Sequence, residues 1–276
     1  MAARDKNPTT AAAQFRSRAG FKVSDEAAAA KPLSSGDKAA DRAATVALTE
    51  RIAALQNVFY AARARKLLIV LQGMDTSGKD GTVKGVFGAI DPLGIRSFAF
   101  KAPTTVEREH DFLWRVHSQV PAQGEMVIFN RSHYEDVLIT RVHGWIDEDE
   151  CERRYAHIRD FERMLAETGT VVLKFFLHIS SDEQKVRFED RIADPAKHWK
   201  FDPNDLEERK HWSAYQDAYT RAIAATDADH APWYVIPADS KPHRNLAIAT
   251  IVAETLEGMK LTFPDAHPEY SDLKVV

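Results

Sequence analysis

The chain has 276 residues, 44% of them hydrophobic, enough to bury one substantial core, and α/β proteins of this size commonly form a single domain with embellishments. Lys plus Arg number 37 against 41 Asp plus Glu, and the net charge of -4 excludes a general nucleic-acid coat with a broad basic face, so any polyanion must meet a local basic site. No apolar run of about 18 residues appears, which excludes a membrane-spanning helix, and the single cysteine, Cys151 among acidic neighbours, permits no internal disulfide and fits an inert thiol in a cytoplasmic protein.

Residues 1–41, rich in Ala, Ser and Lys, lack the compact apolar segment and small-residue cleavage site of a secretory leader and read as a mobile or draped arm. Over residues 42–65, Leu48, Ile52, Leu55 and Phe59 recur at helical spacing. Residues 67–71 form an unbroken apolar run, the pattern of a strand covered on both faces, and lead straight into Gly73-Met74-Asp75-Thr76-Ser77-Gly78-Lys79-Asp80. A helix is expected from Lys79. Further strands are expected at 96–100, 126–129, 171–179 and 233–236, with helices at 106–118, 147–167, 181–192, 205–226 and 241–259 between and after them. That alternation predicts an α/β protein with a parallel five-stranded sheet. Residues 194–203, with prolines near both ends, interrupt two charged helices and suggest a helical lid over a site.

The glycine-rich loop has the strand-loop-helix setting of a phosphate cradle, in which backbone N–H groups turn inward around phosphate oxygens and the helix N-terminus adds positive potential. Lys79 supplies a mobile charge for the transferred phosphate. Asp80 stands where a Ser or Thr usually holds magnesium, which moves attention to Asp75 as a metal-binding carboxylate; a turn residue bonding its own backbone is the plainer role for it. Gly81, Gly85 and Gly88 make a smooth helix face for close packing or for a chain of phosphates, and Lys84 reaches either phosphate or solvent.

The segment Asn130-Arg131-Ser132-His133-Tyr134-Glu135-Asp136 follows the third expected strand and should face the same crevice, because ligands of parallel sheets bind at the carboxyl ends of the strands. The planar fork of Arg131 suits phosphate, with a salt bridge to Glu135 or Asp136 as its alternative role. His133 is expected to pack or bond locally. In the lid, Arg187 and Arg191 share a helical face and are followed by Lys197, His198 and Lys200, but seven cations and seven acids over residues 185–211 cancel, so only a facial arrangement could bind phosphate.

Together these segments resemble the polyphosphate kinase type 2 family over residues 42–259. The family loop Gly-x-Asp-x-x-Gly-Lys-Asp-Gly is present as residues 73–81, which makes Asp80 an expected feature, and the second motif is present as Phe129-Asn130-Arg131-Ser132, with Asn130 where the family also has Asp. With Lys101-Ala102-Pro103-Thr104, Asp111-Phe112-Leu113-Trp114-Arg115-Val116-His117 and Lys197-His198-Trp199-Lys200-Phe201, it resembles the subgroup that phosphorylates nucleoside monophosphates as well as diphosphates. The resemblance implies a three-layer, thymidylate-kinase-like P-loop kinase fold: residues 42–276 as one domain, with a helical lid at about 187–212.

It further implies reversible, magnesium-assisted transfer of the terminal phosphoryl group of polyphosphate to AMP or ADP, with Mn2+ as a substitute metal. Asp75, Lys79 and Arg131 would be catalytic. Gly78, Lys84, Arg187, Arg191, Lys197 and Lys200 would bind polyphosphate. Gly73, Lys101, Thr104, Asn130 and Glu135 would join Asp75 and Arg131 around the nucleotide, and Asp75 with Asn130, directly or through water, would hold the metal. The implied partners are polyphosphate and adenine or guanine nucleotides, without nucleic acid or membrane, in a homodimer or homotetramer. An ATP-dependent kinase of a small metabolite is the rival reading. A nucleotide-sensing switch would need a base-reading Asn-Lys-x-Asp segment, which this sequence does not contain, and Asp91-Pro92-Leu93-Gly94 follows the first helix too directly to be a switch and reads as a turn.

Overall fold

In the computed structural model, which describes residues 10–267 and Tyr270, one sheet holds five parallel strands in the order β2-β3-β1-β4-β5. They are β1 Lys66–Gln72, β2 Ile95–Ala99, β3 Met126–Asn130, β4 Thr170–His178 and β5 Trp233–Pro237. The α-helices, in chain order, are α1 Ala11–Phe15, α2 Lys38–Ala62, α3 Lys79–Phe87, α4 Thr105–Arg108, α5 Trp114–His117, α6 Ile139–Val142, α7 Glu148–Glu167, α8 Ser181–Ala193, α9 Asn204–Arg209, α10 Trp212–Thr226 and α11 Lys241–Gly258.

Strand alternation builds two cores from one sheet. Leu67, Ile69, Leu71, Ile128, Leu173 and Phe175 pack with residues of α2, α3 and α11, whereas Leu68, Val70, Val127, Phe129, Val172 and Phe176 pack with α7 and α10. The parallel five-stranded sheet is the one that the alternating elements predict, and the three layers are those that the resemblance implies. β1 is the central strand, between β3 and β4, and six of its seven residues are buried. The chain leaves β1 toward β2 and later crosses to β4, so the strand order reverses at the carboxyl end of β1, where open parallel sheets leave a crevice.

Three helix expectations change in detail. The first helix begins at Lys38 because the Asp37 carboxylate accepts from Ala39 N and Ala40 N. The expected helix over 106–118 is two short turns, α4 and α5, interrupted where Asp111 Oδ1 accepts from Leu113 N at 2.9 Å and draws the backbone into a turn. The expected helix over 205–226 is broken at residues 210–211 into α9 and α10. Asp91 caps a single 3-10 turn, Pro92–Gly94, as the turn reading requires.

Residues 10–37 lie along the body. Phe15 and Ala28 are buried, Ser17 N donates to Trp233 O at 2.8 Å beside β5, and Arg16 Nη2 meets Asp227 Oδ2 at 3.0 Å. The segment then crosses the carboxyl ends of β4 and β5, where His178 Nε2 bonds Ser24 O at 2.6 Å and Asp239 N donates to Ala28 O at 3.3 Å.

Candidate active site

The loop that follows β1 requires glycine at both ends. Gly73 has φ 156°, and a Cβ there would stand 2.7 Å from Leu177 O; Gly78 has φ 102°, and its Cβ would fall 1.8 Å from Arg244 Nη1. Lys79 opens α3 and folds back on the loop, its Nζ donating to Gly73 O at 2.6 Å and Met74 O at 3.3 Å. Burial brings its pKa down to about 8; Arg131 pushes the same way, against Asp75, Glu135 and Asp80. The hydroxyls of Thr76 and Ser77 are buried without a hydrogen-bond partner among the described residues, which suits a loop made to surround an oxyanion.

β3 delivers the second group. Arg131 N donates to Leu71 O at 3.1 Å, which joins the ends of β1 and β3, and Arg131 itself sits at φ 63°. Its Nη2 meets Asp75 Oδ1 at 2.6 Å and its Nη1 lies 3.9 Å from Glu135 Oε2. Burial opposes the guanidinium charge, yet Glu135 and Asp75 outweigh it and raise the pKa. The Gln72 amide, oriented so that both of its ends are satisfied, donates to Glu135 Oε1 at 3.0 Å and accepts from Ser132. Asn130 Nδ2 donates to Asp80 Oδ1 at 2.7 Å, which leaves the Asn130 carbonyl oxygen as an acceptor. Burial would raise the Asp80 carboxyl, but Asn130, Lys200 and Lys79 together hold it below its ordinary value.

The lid contributes a mixed set of charges. Lys200 Nζ approaches Asp80 at 3.7 Å, Arg191 Nη1 approaches Asp205 at 3.6 Å, and Lys197 pairs with Asp194 at 2.7 Å. Arg187 is buried and does different work from its neighbours. It donates to the carbonyls of Thr76 at 2.8 Å, Ser77 at 3.2 Å, Ala238 at 2.6 Å and Asp239 at 2.9 Å, so its fork braces the back of the loop. Gln184 Nε2 adds a bond to Asp75 O at 3.0 Å.

Two cavities meet at this point. One, of about 860 Å³, lies under Phe100, Lys101, Pro103, Leu138, Trp145 and Tyr219; the other, of about 470 Å³, runs past Thr76, Lys79, Arg187, Arg191, Lys197, Lys200, Lys241 and Arg244. Asp75, Asp80, Asn130, Arg131, Asp202 and Asp205 line both. The first cavity mixes aromatic, aliphatic and polar walls, as a nucleoside needs. The second is cationic, as a polyanion needs.

Most of the residues expected from the sequence converge here. Thr104 does not join the wall: its hydroxyl caps α4 by accepting from Glu107 N at 3.2 Å. Lys84 is exposed on α3 and lines neither cavity. Gly81 and Gly85 are packing residues, their Cβ positions falling 3.2 Å from Arg244 Nη2 and 2.3 Å from Asn245 Nδ2 of α11, and Gly81 also borders the cationic cavity. His133 is buried against Glu162 at 3.4 Å, the local bonding expected of it.

The sequence reading missed Arg244, Tyr219 and Asp205. Arg244 donates to Ser77 O at 3.2 Å, and burial with the nearby Arg187 charge lowers its pKa to about 9. Tyr219 is buried in the wall of the larger cavity, its phenol pushed well up by burial and Glu135. Burial and then the charge of Asp75 raise the Asp205 carboxyl to about 6. The only signal for Asp205 was its place in the expected lid, just past the proline-flanked segment; Arg244 and Tyr219 stand in ordinary helical sequence.

Residues 35–264 match the sequence profile described as polyphosphate kinase 2. An AMP/ADP-polyphosphate phosphotransferase of Meiothermus ruber is 50% identical over 241 residues, spanning 87% of this chain and 90% of that protein. An ADP-polyphosphate phosphotransferase of Rhodopseudomonas palustris is 42% identical over 231 residues, spanning 79% of this chain and 80% of its own length. The crystal structure of polyphosphate kinase 2 from Arthrobacter aurescens TC1 superposes with a TM-score of 0.89 at 45% identity, covering 96% of this chain and 94% of that one.

Proposed function

The chain belongs to the polyphosphate kinase 2 family, and from that premise we propose that it transfers the terminal phosphoryl group of inorganic polyphosphate to AMP and to ADP. The observation that carries this reading is the meeting of an aromatic-walled cavity and a cationic cavity at Asp75, Asn130 and Arg131. The nucleotide lies in the first, with its phosphate toward the junction, and the polyphosphate chain lies in the second. A nucleotide phosphate oxygen attacks the terminal phosphorus in line as the bridging P–O bond breaks, and the donor leaves one unit shorter with the negative charge on its new end. That oxygen is already anionic near neutral pH, so the step needs no strong general base. Lys79 and Arg131 share the charge spread over the transferred oxygens, Lys200 and Arg191 hold the donor from the lid, and Arg187 and Arg244 keep the loop in shape. The reverse reaction uses the same geometry.

The junction suits magnesium. Its donors are carboxylate and amide oxygens, the hard ligands this ion takes, and the raised pKa of Asp205 beside Asp75 marks a place where a cation relieves crowded negative charge. Among the described residues no three acidic or histidine side chains converge as a ready-made cage, which fits an ion held by one or two carboxylates and completed by phosphate oxygens. Asp75, assisted by Asn130, would hold it, and it would neutralise charge on the reacting phosphates.

Among the described residues no helix is long and apolar enough to cross a membrane, and a cytoplasmic location agrees with the free, buried Cys151. A homodimer or homotetramer belongs to the same proposal. The test is purified protein with magnesium and polyphosphate against AMP, ADP, GMP and GDP, read by product chromatography. ADP from AMP and ATP from ADP are expected. Absence of both products, or a strict need for ATP as donor, removes the reading.

A further inference from the structure

Asp25 opens a short 3-10 turn, Asp25–Ala29, in the N-terminal segment that crosses the carboxyl ends of β4 and β5, ahead of residues 35–264 that match the family profile. Its carboxylate joins the two roots of the lid. Oδ2 accepts from Ser181 N at 3.1 Å, at the start of the helix α8 that leads into the lid. Oδ1 accepts from Trp212 Nε1 at 3.2 Å and Gln216 Nε2 at 2.5 Å, in the first turns of the helix α10 that leads out of it. Arg209, the last residue of α9, reinforces the same crossing by donating to Ser181 O at 2.8 Å and to Gln184 Oε1 at 2.8 Å.

Neither capping nor docking of the segment accounts for this carboxylate. Ser180 already caps α8, its hydroxyl accepting from Glu183 N at 3.2 Å. The segment is anchored elsewhere, by buried Phe15, by Glu254 accepting from Ala11 N and Ala12 N at 3.0 and 3.1 Å, and by the Arg16–Asp227 pair. What Asp25 does is bond α8 and α10 to one acceptor group and so fix them relative to each other, a crossing that Arg209 also spans from Ser181 to the Trp212 ring at 5.8 Å. Arg191 near the end of α8, with Lys197 and Lys200 on the span between the two helices, lines the cationic cavity, and the same span brings Asp202 and Asp205 to the junction of the two cavities.

We propose that Asp25 is a positioning residue for phosphoryl transfer: by pinning both roots of the lid it sets the lid's charges over the reacting phosphates. The kinetic consequence rests on the function proposed above; the structural consequence does not. In the full chain, Asp25→Ala is compared with Arg16→Ala, which loosens the segment at the far edge of the sheet. Amide hydrogen exchange over residues 195–210, without ligand, should accelerate about tenfold in Asp25→Ala and stay unchanged in Arg16→Ala. With polyphosphate as donor, kcat should fall by about tenfold or more in Asp25→Ala, since small misplacements of groups that orient phosphate are costly. Asp25→Asn, which keeps one acceptor oxygen, should recover part of both effects and carries the comparison if the alanine variant does not fold. Unchanged lid exchange, or equal losses for the Asp25 and Arg16 variants, overturns the proposal. If the unaltered chain transfers nothing from polyphosphate, the functional reading fails and lid exchange alone decides the role of Asp25.

Discussion

Lys79 concentrates the chemistry of the loop in one titrating group. Burial sets its pKa near 8 in the ligand-free protein, while Asp75, Glu135 and Asp80 keep it from falling further. The charged form is the one that neutralises phosphate. For polyphosphate, kcat/KM, which reports on the free enzyme, should therefore be level below about pH 8 and fall as the pH rises through it. Lys79→Met should lower kcat by about a hundredfold to a thousandfold, the cost of removing one group aimed at developing charge, and its residual rate should lack that alkaline limb. A limb that survives in the methionine variant belongs to another group and removes this assignment. At this scale the sequence is informative where a motif fixes both residue type and spacing, as for Asp75, Lys79, Asp80 and Arg131. It is silent on Arg244, which reaches Ser77 O from 167 positions away along helical sequence with no mark of its own. The sequence also treated the lid acids only as cancelling charge, because pairing cannot show that Asp205 faces Asp75.

The unit that makes the loop work is the contact between α3 and α11. The glycines at 78, 81 and 85 leave room for the Arg244 guanidinium and the Asn245 amide, so the helix behind the loop is laid directly on its neighbour. Gly78→Ala imposes a left-handed conformation on a residue with a Cβ, costing about 1–2 kcal/mol, and its methyl would occupy the place of Arg244 Nη1. Urea unfolding should show at least that loss, with turnover falling well beyond it because Arg244 is displaced from the loop. A variant with normal turnover would show that the guanidinium has no part in loop geometry. The smooth glycine face was legible as a pattern, and its periodicity left packing and phosphate contact both open. Helix breaks were less legible. The 106–118 and 205–226 segments carry helical spacing throughout, but a local Asp111 bond in one and the tie from Arg209 to Ser181 in the other favour separate short helices.

Across the whole molecule, β1, β3, β4 and β5 were readable because each is a mostly apolar run buried along most of its length, whereas the edge strand β2 is partly exposed, and strand-helix alternation left few topologies open. One charge inside that apolar frame was not anticipated. Lys174, in the middle of β4 and fully buried, donates to Glu162 Oε2 of α7 at 2.6 Å, to Tyr134 OH at 2.9 Å and to Thr226 O at the end of α10 at 2.8 Å. Glu162 also meets His133 at 3.4 Å and accepts from Tyr134 OH at 2.9 Å. Burial would raise the Glu162 carboxyl, but Lys174 and His133 outweigh it and hold its pKa down, while burial lowers the pKa of Lys174 against the opposing pull of Glu162. This network ties β4, α7 and α10 to the segment that follows Arg131, and so carries the position of the reacting groups into the core. Lys174→Met leaves Glu162 buried without its cation and should cost about 3–5 kcal/mol in urea unfolding. Adding Glu162→Gln removes the stranded charge, so the double variant should be more stable than the sum of the two single losses predicts. Strict additivity would show that the two charges do not interact, and the core would then have to hold His133 and Tyr134 by packing alone.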